Sequence, residues 1–306
     1  MMQRKSHLDT LAIASIVTCC FLWGLNQVAA KAALPEVPAL WQAASRSLGG
    51  ALLVWLWTRW RGIALFEQDA TLRGGLLAGL LFATEFFCIF TGLQFTTASR
   101  MAVFIYISPF VVALGMPFIA RSERLSLLQM AGLVIAFSGV AWAFAEGFTH
   151  PAAGDKQWLG DALGVAAGVI WGATTLAVRG SQLSHASAEK TLLYQLSISG
   201  VLLTLAALVT GARVPASLSA MAWGSMLFQI VVITAISYLV WFWLIRHYPA
   251  TRLASFTLST PVFGLIAGAM LLGEPVTTRL VVAVAAVAIG IVLVNRQRSE
   301  AGSAKA

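Results

Sequence analysis

Ala98-Ser99-Arg100-Met101-Ala102-Val103-Phe104-Ile105-Tyr106-Ile107-Ser108-Pro109 returns later in the chain as Ala250-Thr251-Arg252-Leu253-Ala254-Ser255-Phe256-Thr257-Leu258-Ser259-Thr260-Pro261. Five of the twelve positions are identical, and two more exchange serine for threonine. In each copy an uncharged apolar segment begins just after an arginine and meets a proline near mid-span. Proline removes a backbone donor and frees a carbonyl, which lipid tolerates only against protein or a wet cavity. Two interrupted helices at matching places in two halves point to the binding site of a carrier.

The composition agrees. Of 306 residues, 59% are hydrophobic and only 10% charged, with a mean hydropathy of +0.83. A soluble domain carries about 25% charge, so this is an integral membrane protein with the lipid bilayer as a partner. The net charge of +8 comes with no basic face or nucleic-acid motif, and no nucleic-acid partner is expected. Cys19, Cys20 and Cys88 lie in apolar segments without CxxC spacing, which predicts neither disulfides nor a metal site. His7, His150, His185 and His247 are scattered through loops and span ends, without metal-ligand spacing. The sequence holds neither a Walker A lysine nor a GxSxG elbow. No cofactor is expected.

Runs of about 20 apolar residues cross a bilayer. Ten are predicted, near 10–30, 38–58, 74–94, 99–120, 126–146, 158–178, 190–211, 220–245, 252–272 and 278–295. The first, with Arg4 and Lys5 before it and Ala30-Lys31-Ala32 behind it, looks like a signal peptide. At about 21 residues its apolar run exceeds a signal core, and it has a counterpart later, so it is read as a retained helix. With the N-terminus cytoplasmic, fourteen Lys and Arg fall inside and five outside (Lys31, Arg100, Lys156, Arg213 and Arg279), with Arg46 inside a span. That bias places both termini in the cytoplasm.

Further pairs extend the repeat. Trp23-Gly24 with Lys31 matches Trp171-Gly172 with Arg179; Ser47 and Gly50 match Ser197 and Gly200; Glu123 and Gly139 match Glu274 and Gly290. Five spans is an odd number, so the halves are expected upside down relative to one another. The predicted fold is all-α: ten transmembrane helices as two inverted five-helix repeats around a central cavity. The halves are 1–147 and 158–296, followed by a cytoplasmic tail at 297–306.

Trp23-Gly24, Trp171-Gly172, Gln94-Phe95-Thr96-Thr97-Ala98-Ser99, Tyr248-Pro249-Ala250-Thr251 and Leu272-Gly273-Glu274-Pro275-Val276-Thr277 resemble the drug/metabolite transporter superfamily, in its ten-helix EamA-type branch. The resemblance covers essentially the whole chain. It implies a bacterial inner-membrane exporter of amino acids and related metabolites. Glu85 in the third span and Tyr106 three residues before Pro109 resemble the aromatic amino-acid exporters, from which Thr84 and Ser108 depart.

Charges inside a span are expensive, about 2.5–3.5 kcal/mol on insertion scales. Glu85 is therefore read as a contact for a substrate ammonium or as a proton-coupling carboxyl; the structural alternative is an ion pair with Arg46. Arg46 itself is read as mainly structural; its counterpart is Leu196, so any ion chemistry is asymmetric between the halves. The expected cavity set is Trp23, Asn26, Glu85, Tyr106, Ser108, Trp171, Thr174, Tyr238, Trp241, Thr257 and Thr260, with Pro109 and Pro261 as hinges. Aromatic walls suit an ammonium, and hydroxyls and amides fix orientation. Packing or interfacial anchoring is the alternative for each aromatic. Trp55, Trp57, Trp60 and Trp158 are assigned to the interfacial belts. Glu123 and Glu274 are expected to cap the helices they precede, and Gly132/Gly139 and Gly264/Gly268 to let helices approach. The expected function is alternating-access export of small metabolites by a monomer, amino acids with an aromatic or neutral side chain first among them. A multidrug or quaternary-cation exporter is the alternative. An intramembrane enzyme lacks a paired nucleophile and base.

Overall fold

The computed structural model describes residues 9–65, 69–119, 126–213, 216–248, 256–257 and 259–295. Among them every regular element is helical: α1 (Thr10–Ala33), α2 (Ala39–Arg61), α3 (Leu72–Gly92), α4 (Ala98–Ile105), α5 (Ser108–Ile119), α6 (Leu127–Thr149), α7 (Gln157–Arg179), α8 (Ala188–Val209), α9 (Ala220–Leu227), a π-helical stretch (Phe228–Ser237) and α10 (Tyr238–His247). The last two are α11 (Ser259–Leu272) and α12 (Thr278–Asn295). Local chemistry sets the starts. Asp9, Thr97, Ser187 and Ser219 each accept a hydrogen bond from a backbone N–H three residues on, satisfying a donor that the helix leaves orphaned. Ser126 and Gln129 form a full capping box at α6. Gly62 closes α2 in the left-handed conformation that glycine adopts without penalty.

Among the described residues, seven helical stretches are long and apolar enough to cross a bilayer, and α11 and α12 are shorter apolar helices. Outward-facing Phe118, Leu127 and Val209 are 85–90% exposed. So apolar a surface is stable against acyl chains rather than water. The chain is a multi-pass membrane protein.

The fourth predicted span is broken. Pro109 cannot donate to Ile105, and its ring crowds that carbonyl. The chain instead turns through Tyr106 and Ile107, whose N–H groups reach Val103 O at 3.1 Å and Phe104 O at 3.2 Å, and α5 starts at Ser108. The break rests on α7. Gly160, Gly164, Gly168 and Gly172 recur every fourth residue and form a ridge without side chains, on which the chain lies from Thr96 to Val111. A Cβ at Gly168 would stand 2.7 Å from Ile105 O and 2.9 Å from Phe104 O. The other half repeats the contact: a Cβ at Gly24 would meet Thr260 O at 2.9 Å, as one at Gly172 would meet Ser108 O at 3.0 Å. Each of those carbonyls belongs to the residue before a repeated proline.

Of the second copy of the motif, residues 250–255 and 258 lie outside the described residues, as does Glu123. Pro261 is buried in α11 and Pro109 half-buried at the start of α5. The predicted eighth span is α9, the π-helical stretch and α10 in succession. Helix pairings interchange when the halves are exchanged. α2 packs on α8, α4 on α11 and α6 on α12; α1 lies along α11 as α7 lies along α4 and α5. Gly264 faces Ala102 and Gly24, and Gly268 faces Ser99 and Glu274, so that small-residue stripe is occupied within the chain. Loop contacts add ties. Asp69 pairs with Lys190 at 2.7 Å, which holds its carboxyl down at about 2. Glu36 accepts from Ser219 N–H at 2.7 Å and Oγ at 2.5 Å, and those bonds hold it below the usual carboxylate range.

Because backbone carbonyls block a Cβ at Gly168, Gly168→Ala is expected to destabilise by about 1–3 kcal/mol, the range for overpacking. Gly224, with open space around it, should accept Gly224→Ala with a slight gain in stability. Thermal unfolding of both variants in detergent checks the contrast; equal melting temperatures would remove the ridge as the seat of the broken helix.

Candidate functional site

Arg46 enters the middle of the bundle from α2 and is 1% exposed. Its Nη2 donates to Tyr238 Oη at 2.8 Å, and its guanidinium carbon sits 4.1 Å above the Phe86 ring centroid. Nε and Nη1 have no partner among the described residues. Glu85, beside Phe86 on α3, is also buried, and its Oε2 is unpartnered among the described residues. The carboxyl feels the charge of Arg46, yet no hydrogen bond or salt bridge joins the two among the described residues. Asn26 Oδ1, Gln27 Oε1 and Ser47 Oγ are buried without a partner in the same sense.

The π-helical stretch orients part of this set. Its i→i+5 bonding turns the next residues to a different face from the one an α-helix of equal length would give them. Ser237 thereby meets α1, where its Oγ accepts from Trp23 Nε1 at 2.9 Å, and Tyr238 meets Arg46. Trp23 and Trp241 pack edge to face at 5.5 Å between centroids, and Tyr106 and Trp171 do so at 5.9 Å. The Tyr106 hydroxyl lies among Thr260, Cys20 and Tyr238.

Trp23, Glu85, Tyr106, Trp171, Tyr238, Trp241 and Thr260 are thus linked into one group through Arg46 and these contacts. Asn26 lies buried on α1, three residues after Trp23. Others of the expected set stand differently. Thr174 Oγ1 donates back to Ile170 O at 2.9 Å, a bond within its own helix. Ser108 is buried with its carbonyl against Gly172. Thr257 is half-buried beside Phe256, whose carbonyl accepts from the Cys20 thiol. The direct Arg46–Glu85 ion pair held open by the sequence is not formed. Sequence reading passed over Ser237 and Cys20, which are ordinary residues of apolar helices until the fold brings them to Trp23 and Tyr106.

A second polar group closes one end of the bundle. Arg100, counted from the sequence as a loop charge, is 3% exposed. Nε donates to Asp161 Oδ1 at 3.0 Å, Nη2 to Asp161 Oδ2 at 2.7 Å and to Ala143 O at 2.5 Å, and Nη1 to Glu146 Oε2 at 2.8 Å. Thr96 Oγ1 donates to Asp161 Oδ1 at 2.6 Å, and Thr277 Oγ1 to Glu146 Oε2 at 2.9 Å. Alongside, Lys31 Nζ binds Leu93 O and Thr96 O at 2.5 and 2.7 Å. Glu274 accepts from Ala98 N–H at 2.7 Å and Ser99 N–H at 2.9 Å. It caps α4, not the helix it precedes. At the other end a cavity of about 500 Å³ opens among Arg73, Gly74, Arg179, Ser181 and His185.

The EamA-like transporter family matches this chain twice, over residues 10–145 and 158–296. The uncharacterized transporter YvbV of Bacillus subtilis is 28% identical over 96% of this chain and 94% of its own. The uncharacterized transporter YoaV of the same organism is 23% identical over 90% and 94%. An uncharacterized transporter of Synechocystis, sll0355, is 25% identical over 96% and 93%. A crystal structure of a protein only 18% identical superposes with a TM-score of 0.64 over 94% of this chain and 96% of that one, a likeness of fold.

Removing the cation from a buried pair strands the acids, a loss of about 3–5 kcal/mol. Arg100→Gln is expected to lower the melting temperature sharply or to prevent recovery of monodisperse protein. Arg100→Lys, which keeps the charge without the planar fork, should restore only part. A wild-type melting curve for Arg100→Gln would refute the network as a structural tie.

Proposed function

Because this chain belongs to the EamA-like transporter family, we propose that it exports small metabolites across a bacterial inner membrane by alternating access, amino acids with aromatic or neutral side chains first among them. The observation that carries this reading is the buried pair of Glu85 and Arg46, each with polar atoms that have no partner among the described residues, in a bundle that also holds the Tyr106–Trp171 and Trp23–Trp241 ring pairs. Polar groups at membrane depth are stable when a solute, water or another part of the chain answers them. Glu85 faces the ammonium of the solute, and the rings wall it by area and cation–π attraction.

The working unit is a monomer of ten spans in two inverted halves, 1–147 and 158–296, with residues 297–306 as a cytoplasmic tail and both termini cytoplasmic. The exchangeable helix pairings and the matched Gly24–Thr260 and Gly172–Ser108 contacts support equivalent halves. The distribution of Lys and Arg supports the orientation, and it puts the Arg100 network on the outer side. The halves rock about Pro109 and Pro261, and the Arg100 network closes the outer mouth while the other end opens. A second reading, export of quaternary cations, draws on the same acid among aromatic rings.

Purified protein in liposomes, given labelled amino acids and quaternary ammonium ions under imposed pH gradients, tests both readings. Saturable flux of aromatic or neutral amino acids is expected, and Glu85→Gln should abolish it without lowering the melting temperature. Flux of the quaternary cations alone would replace the first reading by the second. No flux of any solute above that of empty liposomes would refute both.

A further inference from the structure

We propose that Arg46 is the second pole of the site and holds the carboxylate of a zwitterionic solute whose ammonium faces Glu85. This rests on the carrier reading above and narrows its substrates to molecules that bear both charges.

The chain itself shows what a structural arginine looks like. Arg100 uses all three nitrogens, on two carboxylates and a carbonyl. Arg46 is as deeply buried, yet it donates to one neutral phenol, and its Nε and Nη1 have no partner among the described residues. A buried guanidinium answered so poorly by the described residues is costly unless something else answers it, and an intramembrane arginine that served packing would take carboxylates or freed carbonyls. Its position is nevertheless held. Phe86 lies under the guanidinium plane at 4.1 Å, and Tyr238 fixes Nη2. A planar donor group held in place with nitrogens to spare is suited to receive a carboxylate.

Glu85 supplies the opposite pole from the next helix. If the two charges served only to neutralise one another they would be expected to meet in a salt bridge; instead they interact without one. Glu85 adjoins Phe86, the ring under the Arg46 guanidinium, and a basic and an acidic group so placed and unjoined match the two ends of a zwitterion. The second half carries Leu196 where the first carries Arg46, so the site has a single carboxylate pole.

Binding to the detergent-solubilised full chain, measured by calorimetry, uses three probes: L-phenylalanine, 2-phenylethylamine, which lacks the carboxylate, and 3-phenylpropionate, which lacks the ammonium. Wild type should bind phenylalanine more tightly than either analogue by at least about tenfold, ~1.4 kcal/mol. Arg46→Gln should erase the preference over the amine, and Glu85→Gln the preference over the acid. Arg46→Lys should keep part of the first. Equal binding of amine and amino acid by wild type would overturn the proposal, as would an Arg46→Gln variant that weakens both alike. So would failure of all three probes to bind. If Arg46→Gln does not fold, the wild-type comparison and Arg46→Lys decide. Flux of solutes without this charge discrimination refutes the two-pole site alone, whereas discriminating binding without flux refutes the carrier reading.

Discussion

Most of this chain lies where water cannot answer a polar group, so other parts of the chain must do so. Arg100 shows the constraint met. Asp161, Glu146, Thr96, Thr277 and the Ala143 carbonyl draw the start of α4, the end of α6, the start of α7 and the approach to α12 onto one guanidinium. Each carboxylate is held by the cation and by a hydroxyl, and all three guanidinium nitrogens are engaged. Glu274 at the N-terminus of α4 and Lys31 at the C-terminal end of α3 apply the same rule to backbone groups that helices leave orphaned.

Breaking a helix in lipid requires the same accounting. Pro109 frees the carbonyl of Ile105, and the glycine ridge of α7 lets that stretch press against backbone instead of acyl chain. The cost of the break is therefore met by close approach, which only residues without a Cβ permit. Gly24 against Thr260 repeats the arrangement in the other half. The prolines alone create an irregularity; prolines opposed by glycines place it inside the protein, next to Tyr106 and Thr260.

Against that background the middle of the bundle stands apart. Arg46 and Glu85 are as buried as the Arg100 group and far less satisfied. One arginine is saturated by carboxylates and a carbonyl, and the other keeps Nε and Nη1 without a partner among the described residues. The π-helical turn brings Tyr238 to the open one, and Phe86 lies under its guanidinium.

Much of this was legible in the chain itself. Hydropathy and the scarcity of charge determined a helical membrane protein, because long apolar segments must satisfy their backbone internally. The Arg-to-Pro motif located the broken helix at Pro109, and Glu85, Tyr106 and Trp171 stood out as polar or aromatic residues at depth. Partners across the fold were not legible. Nothing local says that Glu274 caps α4, that Arg100 is buried with Asp161 and Glu146, or that the eighth span unwinds into π-helix before Tyr238. The four-residue spacing of Gly160, Gly164, Gly168 and Gly172 was present in the sequence, but its meaning depends on which helix lies upon it. Backbone preference and hydrophobicity act over one helical segment and are written there; the pairing of buried charges depends on which segments become neighbours, and only the tertiary structure decides that.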